Sequence, residues 1–106
     1  MRPSVKNLFA NLPASSAPEE FLTLVQTEGV RVERIVSNGQ CSPKDFWYDQ
    51  EEEEWVLLLR GTARIEFENG HAVRFAIGDS LLIPRRARHR VSEVSDDAIW
   101  LAVHYR

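Results

Sequence analysis

Apolar positions follow two regimes along the chain: clusters separated by breakers up to residue 28, and a two-residue period from Gly29 onward. Residues 5–12 read as a short strand or extended arm, and Pro13-Ala14-Ser15-Ser16-Ala17-Pro18 as a breaker-rich connection. Ser16 or Ala17 can cap a short helix with Pro18 at its first position and Glu19 and Glu20 in its first turn. Phe21, Leu22, Leu24 and Val25 would supply its apolar side. No other stretch predicts a helix.

Beyond Gly29 the pattern predicts strands. Val30, Val32 and Arg34 fall on one face and Arg31, Glu33 and Ile35 on the other. Ser37-Asn38-Gly39 offers a turn before a second extended stretch over residues 46–50. Residues 54–60 contain Trp55-Val56-Leu57-Leu58-Leu59, a short apolar run closed by Gly61 that reads as a strand buried on both faces. Residues 62–68 and 71–77 form a hairpin around Asn69-Gly70, the pair that suits a type I′ turn. Gly78-Asp79 turns the chain into residues 80–84, and further strands follow over 89–94 and 98–105. Short strands at this spacing predict an all-β sandwich or barrel. The boundaries are one domain over residues 1–106, with an arm and short helix over 1–28 and a barrel over 29–106.

Composition narrows the function. The chain has 106 residues, 43% of them hydrophobic and 27% charged, enough for one core and ordinary for a globular domain. A domain this small buries only about two thirds of its unfolded surface, so a homodimer interface is an expected stabiliser. The net charge of −3 argues against nucleic acid and anionic membranes as partners, because both need a concentrated positive face. Cys41 stands alone, which excludes an intramolecular disulfide, and no signal peptide or membrane-length apolar run is present; the expected location is cytoplasmic. Phosphate loops, nucleophile elbows, paired zinc cysteines and dinucleotide fingerprints are absent.

Two spaced motifs remain. Glu54 is followed after six residues by Gly61, and Gly78 is followed after five by Pro84 and then by His89. This spacing resembles the paired motifs of the cupins, Gly-x5-His-x-His-x3,4-Glu-x6-Gly and Gly-x5-Pro-x-Gly-x2-His-x3-Asn. The resemblance covers residues 46–93 and is to small single-domain cupins. It implies a jelly-roll barrel of antiparallel strands around one pocket for a metal ion or small ligand. The chain departs from the pattern at several places: Tyr48-Asp49-Gln50 stands where His-x-His is expected, the opening glycine is absent, Arg86 replaces a glycine, and Glu93 replaces the final asparagine.

Strand alternation lets either Tyr48 and Gln50 or Trp47 and Asp49 face the pocket, since residues two apart share a face. The shorter motif spacing favours Tyr48 and Gln50. The resemblance then implies Gln50, Glu54 and His89 as ligands of zinc, iron, manganese or nickel, with Asp49 as an alternative ligand. Tyr48 is the catalytic candidate, as a proton donor or a substrate-orienting group. Without a metal, Glu54, His89 and Tyr48 would hydrogen-bond one another. Arg86 and Arg88 are candidates for a positive rim that draws an anionic small molecule, or for solvated loop charges. His104 shares a face with Trp100 and Ala102 and is a candidate for a polar group in the pocket or for a cap on a dimer surface, the second being preferred. The functions that follow are a metal-binding cupin, possible as an oxygenase or isomerase on a small polar or anionic metabolite, or a metal-free ligand-binding module.

Overall fold

Eight strands follow one another in the computed structural model, which describes residues 2–14 and 16–106. They are β1 (Glu20–Gln26), β2 (Val30–Val36), β3 (Glu53–Arg60), β4 (Ala63–Phe67), β5 (Ala72–Phe75), β6 (Ser80–Ile83), β7 (His89–Val94) and β8 (Ile99–Tyr105). A five-stranded sheet of order β1-β2-β8-β3-β6 faces a three-stranded sheet of order β5-β4-β7, and every strand pair is antiparallel. Alternate side chains from both sheets meet between them. Val56, Leu58, Ala63, Ile65, Phe75 and Trp100 lead the core, each large one worth roughly 1.5–3 kcal/mol in burial. Phe75 packs edge-on against Trp100 with ring centroids 5.1 Å apart.

The expected N-terminal helix is a strand: residues 20–26 pair with β2, and the described residues contain no helix. The cause is a bulge. Leu22 pairs with Arg34 and Val25 with Val32, with a register shift between Thr23 and Val25. The extra residue places Leu22 and Val25, three apart, on one face, which imitates helical spacing in the sequence. Residues 5–12 form an arm rather than a strand, and the connection over residues 13–18 includes Ser15, outside the described residues. Arg34, 4% exposed, ties the arm down by donating to the carbonyls of Leu8 (3.2 Å) and Ala10 (2.8 Å) while pairing with Glu20.

Two other expectations change. The Asn69-Gly70 turn is not type I′, because of its central pair only Gly70 has positive φ. Phe67 instead receives Gly70 N–H at 2.9 Å and donates to His71 at 2.7 Å, a longer loop closed by the Asn69 side chain on His71 N–H. Residues 46–50 make a single bridge, Tyr48 with His89, and no strand. Gly61 is required where it stands: its φ is +87°, and a Cβ there would lie 2.9 Å from the Ala98 backbone.

Candidate functional site

The core is apolar at the β3–β4 turn and polar at the opposite end, where β2 and β3 begin and β8 finishes. There the two sheets enclose a cavity of about 80 Å³. Period-two alternation delivers Glu33 from β2, Glu54 from β3, and His104 from β8 to its wall, each less than a tenth exposed. In the sheet His104 lies directly across from Glu54 on one side and Arg31 on the other.

The segment before β3 forms one wall of the cavity. Tyr48 N–H donates to the His89 carbonyl at 2.7 Å, His89 N–H returns to the Tyr48 carbonyl at 3.1 Å, and Arg86 N–H donates to the Gln50 carbonyl at 2.7 Å. Three backbone bonds thus hold residues 48–50 against the 86–89 loop. Tyr48 and Gln50 line the cavity, and Asp49 turns away to pair with Arg86 at 3.1 Å. Arg86 adopts φ 65°, the left-handed conformation of a glycine, at the position where the motif has one. Neither Arg86 nor Arg88 lines the cavity; Arg88 pairs with Glu68 at 2.8 Å on the surface.

His89 is fixed from two sides. The Tyr48 ring stacks on it, centroids 5.6 Å apart and planes 27° apart. Its Nδ1 lies 2.8 Å from the Ala87 carbonyl, so Nδ1 carries the proton and donates. In the neutral ring Nε2 then presents a lone pair to the cavity. It faces Glu54 Oε1 at 3.7 Å, beyond hydrogen-bond reach, and that oxygen is buried with no partner. The second imidazole is already engaged: His104 Nε2 lies 3.0 Å from Glu33 Oε1 and 3.8 Å from Glu54 Oε2.

Two groups on the wall have displaced acidities. Burial raises the Tyr48 phenol above its ordinary 10.0, with the charges of Glu19 and Glu54 adding to the shift, so it is a hydrogen-bond donor at neutral pH. Burial also raises Glu19 above 4.5, partly offset by a hydrogen bond from the Ser37 hydroxyl at 2.9 Å.

Tyr48, Gln50, Glu54 and His89 therefore meet at one cavity, while Asp49, Arg86 and Arg88 stand outside it. Sequence reasoning missed Glu33 and preferred His104 as a cap on a dimer surface. Their signal was present only as charges on strand faces that also carry Ile35 and Trp100.

Comparisons with known proteins agree with this architecture. The model of the cupin domain family matches residues 33–104. Among solved structures, a proposed mannose-6-phosphate isomerase from Ralstonia eutropha JMP134 is 42% identical, with a TM-score of 0.91 over 97% of this chain and 98% of that one. An RmlC-like cupin protein from Desulfovibrio desulfuricans is 16% identical, with a TM-score of 0.74 over 97% of each chain. DMSP lyase DddQ from Ruegeria pomeroyi DSS-3 is 15% identical, with a TM-score of 0.73 over 97% of this chain and 55% of that one. The last two share the fold alone. No curated protein matches. With its motif spacing, two-sheet barrel and family match in agreement, the chain belongs to the cupin domain family.

Proposed function

We propose that this cupin binds the polar head of a small molecule between Glu54 and His89, without a resident metal. The observation that carries the reading is the unpartnered Glu54 Oε1 facing the Nε2 lone pair of His89 across 3.7 Å. A buried carboxylate oxygen without a partner is costly, and two acceptors facing each other call for a donor between them. A ligand group with two donor hydrogens, set to the side of that 3.7 Å gap, satisfies both, and His89 then holds the place of a general base. Tyr48, a donor at neutral pH, and the Gln50 amide stand at the same wall. The reading therefore extends to proton transfer on the bound ligand.

The zinc, iron, manganese or nickel ion that the family pattern implies finds a poor donor set. Among the described residues no three His, Cys, Asp or Glu side chains converge as metal ligands. His104 spends Nε2 on Glu33 and Glu19 accepts from the Ser37 hydroxyl, leaving Glu54, His89 and the neutral amide of Gln50, short of the three histidine or carboxylate ligands typical of catalytic zinc. Elemental analysis of protein purified without chelator, beside His89→Ala, tests this. Substoichiometric metal in both supports the metal-free reading. Stoichiometric metal that disappears in the variant overturns it and assigns Gln50, Glu54 and His89 as ligands.

A homodimer is part of the same reading. One row of the outer face of the five-stranded sheet runs Val25, Val32, Val103, Trp55, Leu82 in register, with no charge in it. Val25 and Leu82 are about half exposed. Outer faces of antiparallel sheets are ordinarily polar, and an uncharged stripe spanning five strands is self-complementary under a two-fold axis. Light scattering should give a dimer that Trp55→Lys converts to a folded monomer; a monomeric wild type refutes the dimer.

A further inference from the structure

The charge of the cavity restricts which head group can enter it. Among the described residues three glutamates, Glu19, Glu33 and Glu54, reach its wall, and no lysine or arginine does. The cations that stand nearest in sequence are spent elsewhere. Arg86 is held by Asp49, Arg88 by Glu68, and Arg85 by Glu53, all at the surface. Arg31 reaches Glu33 Oε2 only at 3.6 Å and turns its Nη1 toward Glu52. Of the two imidazoles, His104 points its Nε2 at Glu33 and His89 has its Nδ1 on the Ala87 carbonyl, so each has one nitrogen engaged by the protein. The remaining wall is apolar or aromatic, including Phe21, Tyr48 and Trp100.

We infer that the ligand is a small organic cation, an ammonium-type head that donates hydrogen bonds to Glu54 and His89, and that phosphorylated or carboxylated metabolites are excluded. This rests on the proposed binding role of the cavity and adds the class of ligand. Three arguments converge on it. A phosphate or carboxylate placed beside Glu54 would meet an acceptor and a like charge in a poorly solvated space, with no guanidinium to compensate. An ammonium supplies donors to the unpartnered Glu54 Oε1 and to the His89 lone pair at once, and aromatic walls suit a cation better than an anion. Size agrees. The inner space of about 80 Å³ is well below the roughly 300–1,000 Å³ of pockets for larger ligands, so it holds a compact head, and the rest of a larger molecule would have to lie outside the mouth. The cavity thus departs from the substrate implied by the name of the 42% identical Ralstonia protein.

Calorimetric titration of the purified protein with propylammonium, 1-propanol, propionate and mannose 6-phosphate separates the possibilities, with Tyr48 and His89 NMR signals locating each probe. Propylammonium should bind at least about tenfold more tightly than propionate, since one charge-assisted hydrogen bond is worth that much. Glu54→Gln should erase the preference, and Glu33→Gln, which leaves the Glu54–His89 gap intact, should reduce it. Propionate or mannose 6-phosphate perturbing the cavity as strongly as propylammonium would sink the inference while leaving the binding role standing. Failure of all four to perturb Tyr48 or His89 would remove the binding role as well.

Discussion

The two faces of the five-stranded sheet reverse the usual arrangement. On the inner face, toward the polar end, Glu33, Glu54 and His104 are buried; on the outer face of the same strands their immediate neighbours are Val32, Trp55 and Val103. Polar groups lie inside and apolar ones outside, on residues adjacent in sequence. Folding alone would favour the opposite pattern, since burying charge costs several kcal/mol and exposing valine gains nothing. Such reversals concentrate where a protein binds something. Here the inner one marks the proposed ligand site and the outer one the proposed dimer contact, and the apolar end of the core supplies the stability that both consume.

That division is testable by substitution. The largest effect belongs to the apolar end. Leu58 has no exposed surface, so Leu58→Ala should cost about 3 kcal/mol in urea unfolding, whereas Leu57→Ala on the outer face should cost about 1 kcal/mol. Equal costs would break the comparison. At the polar end the expected sign changes. Glu54→Gln removes a buried charge whose Oε1 has no partner, so stability should hold or rise by up to about 1 kcal/mol while ligand binding falls. A loss above about 2 kcal/mol would make Glu54 a structural residue instead.

A smaller gain is expected outside the cavity. Arg86→Gly relieves a left-handed arginine at φ 65° and gives up only an exposed ion pair with Asp49, so thermal unfolding should show about 0.5–1 kcal/mol of stabilisation. The subtlest effect is on pH dependence. Because the Glu19 carboxyl is raised above 4.5 by burial, the folded chain binds its proton more tightly than the unfolded one. Its contribution is full below the unfolded value and is lost as pH rises through the folded value. Glu19→Gln cannot ionise, so its stability relative to wild type should grow on going from pH 4 to pH 7; a pH-independent difference would leave the burial of Glu19 without energetic consequence.

The barrel was legible wherever alternation is unbroken. The continuous apolar run from Trp55 to Leu59 marks β3, although it reads as buried on both faces where only alternate residues are, and alternation with the spacing from Gly61 to His89 places β4 through β7. β1 was illegible for a specific reason: its bulge puts Leu22 and Val25 three residues apart on one face, and no local signal separates that from a helix. The facing of Tyr48 and Gln50 was open in the sequence, since it depends on backbone bonds to residues 86 and 89. Glu33 and His104 escaped because their contact joins residues 71 positions apart. Arg86 misled in another way: a charge beside a histidine suggests a rim, but its backbone, doing the work of a glycine, aims the side chain at Asp49.

The position of β8 has a bearing on how the chain is built. It lies between β2 and β3 and pairs with both, so the ladder joining them cannot close until β8, the eighth strand in chain order, is in place. Until then β1–β2 is a lone hairpin, of marginal stability in water, and β3 has one neighbour, β6. Loop closure across most of the chain precedes any reward from the central pairing. Until that contact forms, β2 and β3 each present an unpaired edge, and those edges are where intermolecular strand pairing would begin.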